Sequence, residues 1–140
     1  MISNELKVII DKLKEQGKMR FVESVTEAQI FEFEKEHTKL PLKYKEWLLF
    51  SDGGEFFLPA GIQMYGVVHK PLIDITNEDK PSKKYTVIGK TAWGDPILCE
   101  NDSEKISIYN HEKGIIEKDE VYNDFFSFLN NLYSILEEDD

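Results

Sequence analysis

The residues able to do acid–base or nucleophilic chemistry are few and far apart in this chain. His111-Glu112 falls in a turn and has the chemistry to orient an acid or a base, and with Asp95 it would form part of a hydrolytic site. No serine, cysteine or second carboxylate pair is placed beside it by spacing, and solvation of a turn explains the same residues. His37, His69 and His111 lack the i,i+4 partner that puts two ligands on one helix face, which argues against a metal site. Cys99 is the single cysteine and sits in an apolar run, so it reads as a buried core thiol rather than a nucleophile. Gly89-Lys90-Thr91 matches the end of a phosphate loop. However, the first glycine of that motif would fall on Lys84, and Trp93-Gly94-Asp95-Pro96 cannot open the helix that must follow. That segment reads instead as a tight turn, with Gly94 supplying the dihedral and Asp95 bonding its own backbone. The expectation is no catalysis, no metal and no cofactor.

The informative exposed set is acidic. Asp74, Glu78 and Asp79 share one polar stretch, Glu100, Asp102 and Glu104 a second, and Glu117, Asp119 and Glu120 lead into the last helix. Across the chain 27 Asp and Glu outweigh 17 Lys and Arg, for a net charge of −10, and Arg20 is the only arginine. Nucleic acid and anionic membrane need clustered cations, so this field disfavours both and favours a basic protein partner. Some of these carboxylates are candidates to mimic a phosphate backbone and plug a basic nuclease cleft; solvated, solubilising loops have the same composition.

The elements that must position these residues follow from periodicity. A length of 140 residues with 41% hydrophobic content suits one domain, residues 1–140, around one core. Ile2, Leu6, Ile9, Ile10 and Leu13 recur at helical spacing, and Gly17 supplies an end. Thr26-Glu27-Ala28-Gln29 is a capping box flanked by the staple pair Val25 and Ile30, predicting a second helix with Ile30 and Phe33 inward and Glu32, Glu34, Lys35 and Glu36 outward. Leu40-Pro41 breaks it and opens a third helix, with proline at the first helical position, Tyr44 and Trp47 on its core face, and Gly53 or Gly54 closing it in a left-handed conformation. Short β-rich runs follow as an antiparallel meander, at 55–58, 62–68, 85–90, 96–100, 105–110 and 114–118, with 74–84 a surface loop. Ile106 and Ile108 alternate with polar neighbours, predicting one wet side for that strand. A last helix, capped near Asn123, carries Phe125, Phe128, Leu129, Leu132 and Leu136 on one stripe. In Phe56-Phe57 and Phe125-Phe126, one ring of each pair must turn away from its neighbour and is a candidate apolar contact.

The lack of a cysteine pair fits a reducing compartment. Charges at Glu5, Lys7, Asp11, Lys12, Lys14 and Glu15 interrupt any apolar leader, so a cytoplasmic location is expected. Asn101-Asp102-Ser103 matches a glycosylation acceptor, without consequence in that compartment.

In this order and spacing the chain resembles the SUKH superfamily, the Smi/Knr-type domain of fungal cell-wall regulators and bacterial immunity proteins. The resemblance is carried by Thr26 to Ile30 leading into Glu34, then Leu40-Pro41 with Tyr44, Trp47 and Leu48, then Gly53-Gly54. It continues through Ile88-Gly89, Gly94-Asp95-Pro96-Ile97 and His111-Glu112 to the closing segment from Phe125 to Leu132. Asp52 stands where Asn is commoner, which adds a charge and leaves the helix-ending role intact. The resemblance implies an α+β fold in which N-terminal helices and a C-terminal helix pack on a mainly antiparallel sheet of about five to six strands. It also implies a non-enzymatic role in binding a protein. That protein would be a toxin, possibly a nuclease, for an immunity protein; a regulatory or scaffold module would have no toxin. Leu40, Pro41, Tyr44, Trp47, Gly53, Gly54, Gly94 and Asp95 would then be structural positions.

Overall fold

A computed structural model describes residues 2–57, 61–73 and 80–132. Three helices come first: α1 (Asn4–Gln16), α2 (Glu27–Glu36) and α3 (Leu42–Leu48). The strands β1 (Gly54–Phe56), β2 (Ile62–Met64), β3 (Tyr85–Lys90), β4 (Pro96–Glu100), β5 (Ile106–Asn110) and β6 (Ile115–Tyr122) follow, then α4 (Phe125–Asn130). The strands form one six-stranded sheet in chain order, every neighbouring pair antiparallel, and the α+β class is as the sequence leads one to expect.

Local chemistry explains where the first helices begin and end. Ser3 caps α1 by accepting the Leu6 amide, and Gly17 ends it at φ 73. In α2 the Thr26 hydroxyl accepts the Gln29 amide while the Gln29 side chain accepts the Thr26 amide, so the capping box is complete. Leu6, Ile9, Ile10 and Leu13 of α1 join Ile30 and Phe33 of α2, Tyr44, Trp47 and Leu48 of α3, and Phe125, Phe126, Phe128 and Leu129 of α4 in one buried cluster. The sheet contributes Ile62, Met64, Ile88, Ile97, Cys99, Ile106 and Ile108 to the same cluster.

Several boundaries differ from the sequence reading, each for a physical reason. Pro41 is the N-cap of α3 rather than its first helical residue, and it offers no side-chain cap. The helix stops at Leu48 without a glycine: the Phe50 and Ser51 amides both donate to the Trp47 carbonyl and tighten the last turn. Gly53 and Gly54 have φ of 99 and 129 but serve the entry to β1. At Gly53 both the φ of 99 and the close approach to β2, where a Cβ would lie 2.6 Å from the Met64 carbonyl oxygen, require glycine.

Strand β2 ends at Met64, short of the expected 62–68, because the amides of Val67, Val68 and His69 are taken by a carboxylate rather than by a strand. Conversely, β6 runs to Tyr122, well past 118, with Val121 and Tyr122 paired to Ser107 and Ile106 across a register shift. Its charged run Glu117 to Glu120 hides it from hydropathy and suits a sheet edge. The far side of β5 is wet only in part: Lys105 is exposed and Tyr109 half-buried, but Ser107 is 6% exposed and lies in cross-strand register with buried Leu98, which itself pairs with buried Val87.

The cap of α4 is Asp124, next to Asn123 as expected, its carboxylate accepting the Ser127 amide. Phe125 and Phe126 are both buried, Phe126 under the Lys43 ammonium at 4.6 Å, so neither is an exposed contact. Glu34 turns inward, accepting the Leu40 amide at 2.8 Å and pairing with Lys45 at 3.3 Å. Leu58, Asp74, Glu78, Asp79 and Leu136 lie outside the described residues.

Candidate functional site

The polar chemistry of the molecule concentrates where α3 runs into β1. Trp47 is fully buried, ringed by Phe50, Phe56 and Phe125 at 5.4 to 5.9 Å, and its indole N–H donates to the Gly53 carbonyl at 2.9 Å. The Ser51 hydroxyl accepts the Val22 amide and donates to the same carbonyl. Tyr44 donates its phenol to the Tyr65 carbonyl, and its pKa is pushed well above 10.0 by burial, then by the nearby charge of Asp52 and by Cys99.

Asp52 is the least expected member. Its side chain is wholly buried and receives the backbone amides of Val67, Val68 and His69 at 2.7, 2.9 and 2.6 Å. His69 adds its Nδ1 at 2.9 Å and places Nε2 3.6 Å from the Glu23 carboxylate. Three consecutive amides around one carboxylate form an anion nest, here occupied from within the chain. The residue therefore does much more than add a charge after a helix.

At the opposite end of the strands, the β3–β4 turn has Gly94 at φ 87, with the Asp95 amide donating to the Thr91 hydroxyl. The Asp95 carboxylate does not bond its own backbone; it accepts the amide of His111 at 3.2 Å and faces its Nδ1. The structure thus brings Asp95 and His111, sixteen positions apart, together as a clamp between two hairpin tips. His111 is exposed, and its contacts with Asp95 tie the two turns together. His37 packs its ring on Phe33 instead of serving a ligand set. Gly89 and Lys90 lie within β3, which removes the phosphate-loop reading. Cys99 is buried, and that burial pushes its thiol up to about 12, away from nucleophilic chemistry.

Of the acidic candidates, Glu104 is the most committed. It accepts the Leu42 and Lys43 amides at 2.8 and 3.1 Å and thereby caps α3 from the β4–β5 connection, replacing the cap that Pro41 lacks. Glu100 pairs with Lys84 at 3.6 Å, and Asp102 is exposed on the same connection at φ 61. Glu117 pairs with Lys113 at 3.7 Å, while Asp119 and Glu120 follow it along β6. These residues occupy two regions, one beside the start of α3 and one along the sheet edge. Leu40 and Pro41 are buried at the start of α3, Tyr44 and Trp47 within it and Gly53 and Gly54 at its junction with β1, whereas Gly94 and Asp95 form the distant turn.

Residues 24–131 match the model of the SMI1 / KNR4 family (SUKH-1). The chain belongs to that family. The match opens just before α2 and closes at Asn131; α1 precedes it yet supplies four side chains to the same core. Comparison with curated proteins gave no match. Membership of the SMI1 / KNR4 family fits a protein-binding role, as an immunity or regulatory domain, and family domains of this kind are generally non-catalytic. Among the described residues no group of three or more His, Cys, Asp and Glu can hold a metal ion, and no helix is long and apolar enough to cross a membrane.

Proposed function

We propose that the chain is a non-enzymatic binding protein of the cytoplasm, an immunity protein that neutralises a toxin by occluding its active cleft. The observation that carries this reading is membership of the SMI1 / KNR4 family together with a net charge of −10. A nuclease must hold phosphates in a basic cleft, and carboxylates on short, well-braced connections can stand where phosphates would. The partner is therefore a basic toxin domain of nuclease type, with neither nucleic acid nor membrane as a ligand. Glu100, Asp102, Glu104, Glu117, Asp119 and Glu120, with Asp74, Glu78 and Asp79, are the proposed contacts. Asp102 and Asp119 are exposed and form no ion pair among the described residues, which leaves them ready to meet a cation.

If a toxin domain is encoded beside this gene, co-expression with it tests the reading through growth rescue and recovery of an equimolar complex. Rescue with complex formation supports it; killing that persists with no complex contradicts it. The alternative is a regulatory or scaffold module without a toxin, as in the fungal relatives. An isolated gene whose product co-purifies with a non-toxic partner would favour it.

A further inference from the structure

Two large apolar side chains among the described residues stand out by exposure, Leu42 at 68% and Phe31 at 63%, and both face one groove between α2 and α3. Buried Ile30 and half-buried Leu49 line it with Glu27, Glu34, Glu46 and Lys45, and the volume is about 540 Å³. Leu42 also borders a second depression of about 420 Å³, lined in part by Asp102, Glu104, Lys39 and Lys45. The two share Glu34, Leu42 and Lys45, so they form one trough from α2 to the β4–β5 connection. Five carboxylates line it against two ammonium groups.

We infer that this trough is the docking site for an amphipathic helix of a partner protein, apolar on the face that enters and rich in Lys and Arg on its flanks. The inference rests on the binding reading above and names the surface and chemistry through which it acts. An exposed phenylalanine and leucine in one groove with Ile30 and Leu49 are the anchors that such helices recognise. The carboxylates select the sign of the flanks. A second copy pairing trough to trough is disfavoured, because it would bring five carboxylates against five. The walls are already set: Glu34 holds Lys45 and the Leu40 amide, Glu46 accepts the Ser3 amide and hydroxyl, and Glu104 caps α3. Little ordering is then lost on docking.

The test is an NMR titration of the whole protein with a synthetic helix of about 15 residues, leucines on one face and lysines on its flanks, beside a scrambled peptide of equal composition. The expected result is amide shifts confined to α2, α3 and the 101–105 connection, at least about tenfold tighter for the amphipathic peptide. Phe31→Ser with Leu42→Ser, both exposed and checked for an unchanged melt, should remove that preference. Equal binding of the scrambled peptide, shifts spread over β6 and α1, no binding, or a preference surviving the double substitution would each overturn the inference. The growth assay separates the two proposals. If the double variant still rescues cells, the immunity reading stands and the trough falls; if the native protein does not rescue but the titration maps to the trough, the reverse holds.

Discussion

Asp52 receives three consecutive amides and an imidazole in a site closed to water, which makes it the single residue with most at stake in the loop that follows β2. Asp52→Ala strands those donors in a buried site and is expected to cost about 3 kcal/mol, from the penalty for unsatisfied buried polar groups. Asp52→Asn keeps one acceptor oxygen and should cost less. Urea melts of the two variants decide it, and a loss within about 0.5 kcal/mol for alanine would show that water replaces the carboxylate. Cys99 offers a second check. Its thiol, ordinarily near 9.0, is pushed up to about 12 by burial, so the folded state retains a proton that the unfolded chain releases first. That contribution is fully present below pH 9.0 and is lost as pH climbs toward 12, and native alkylation at neutral pH should proceed no faster than unfolding. Rapid labelling of the native protein would contradict this. The burial of Cys99 was legible in its apolar neighbours. That of Asp52 was not, because a sequence names a carboxylate without saying which amides fold back over it.

Helix α3 illustrates what spacing rules can and cannot deliver at the scale of an element. Its inward face and its start near Leu40-Pro41 were readable, since Tyr44, Trp47 and Leu48 recur at helical period. Its cap was not, because Glu104 arrives from a connection more than sixty positions away, and local motifs describe only local caps. Glu104→Ala should cost about 1 kcal/mol and speed hydrogen exchange at the start of α3. Unchanged melting together with unchanged exchange would show that solvent caps the helix equally well. The hairpin tips were read correctly as turns, yet the Asp95–His111 clamp that ties them depends on register across β4 and β5. Similarly, β6 was read short because an edge strand needs no hydrophobic alternation where its charged residues face water.

For the whole molecule, the order of helices followed by a six-stranded meander was legible, because one buried face imposes periodicity on every element that touches it. The interaction surface was only partly so. Charge composition pointed to a basic partner, but the α2–α3 trough joins residues whose proximity exists only after packing, and surface positions carry no period. The central claim is the proposal that the −10 field guides this protein onto a basic toxin domain. Its most direct test is the association rate with the toxin domain whose killing is rescued in co-expression, followed by stopped flow across a salt series. The account expects the rate to fall steeply as the Debye length shortens from about 10 Å at 0.1 M to about 3 Å at 1 M, while dissociation changes little. An association rate indifferent to salt would contradict electrostatic guidance and leave the apolar trough alone to account for binding.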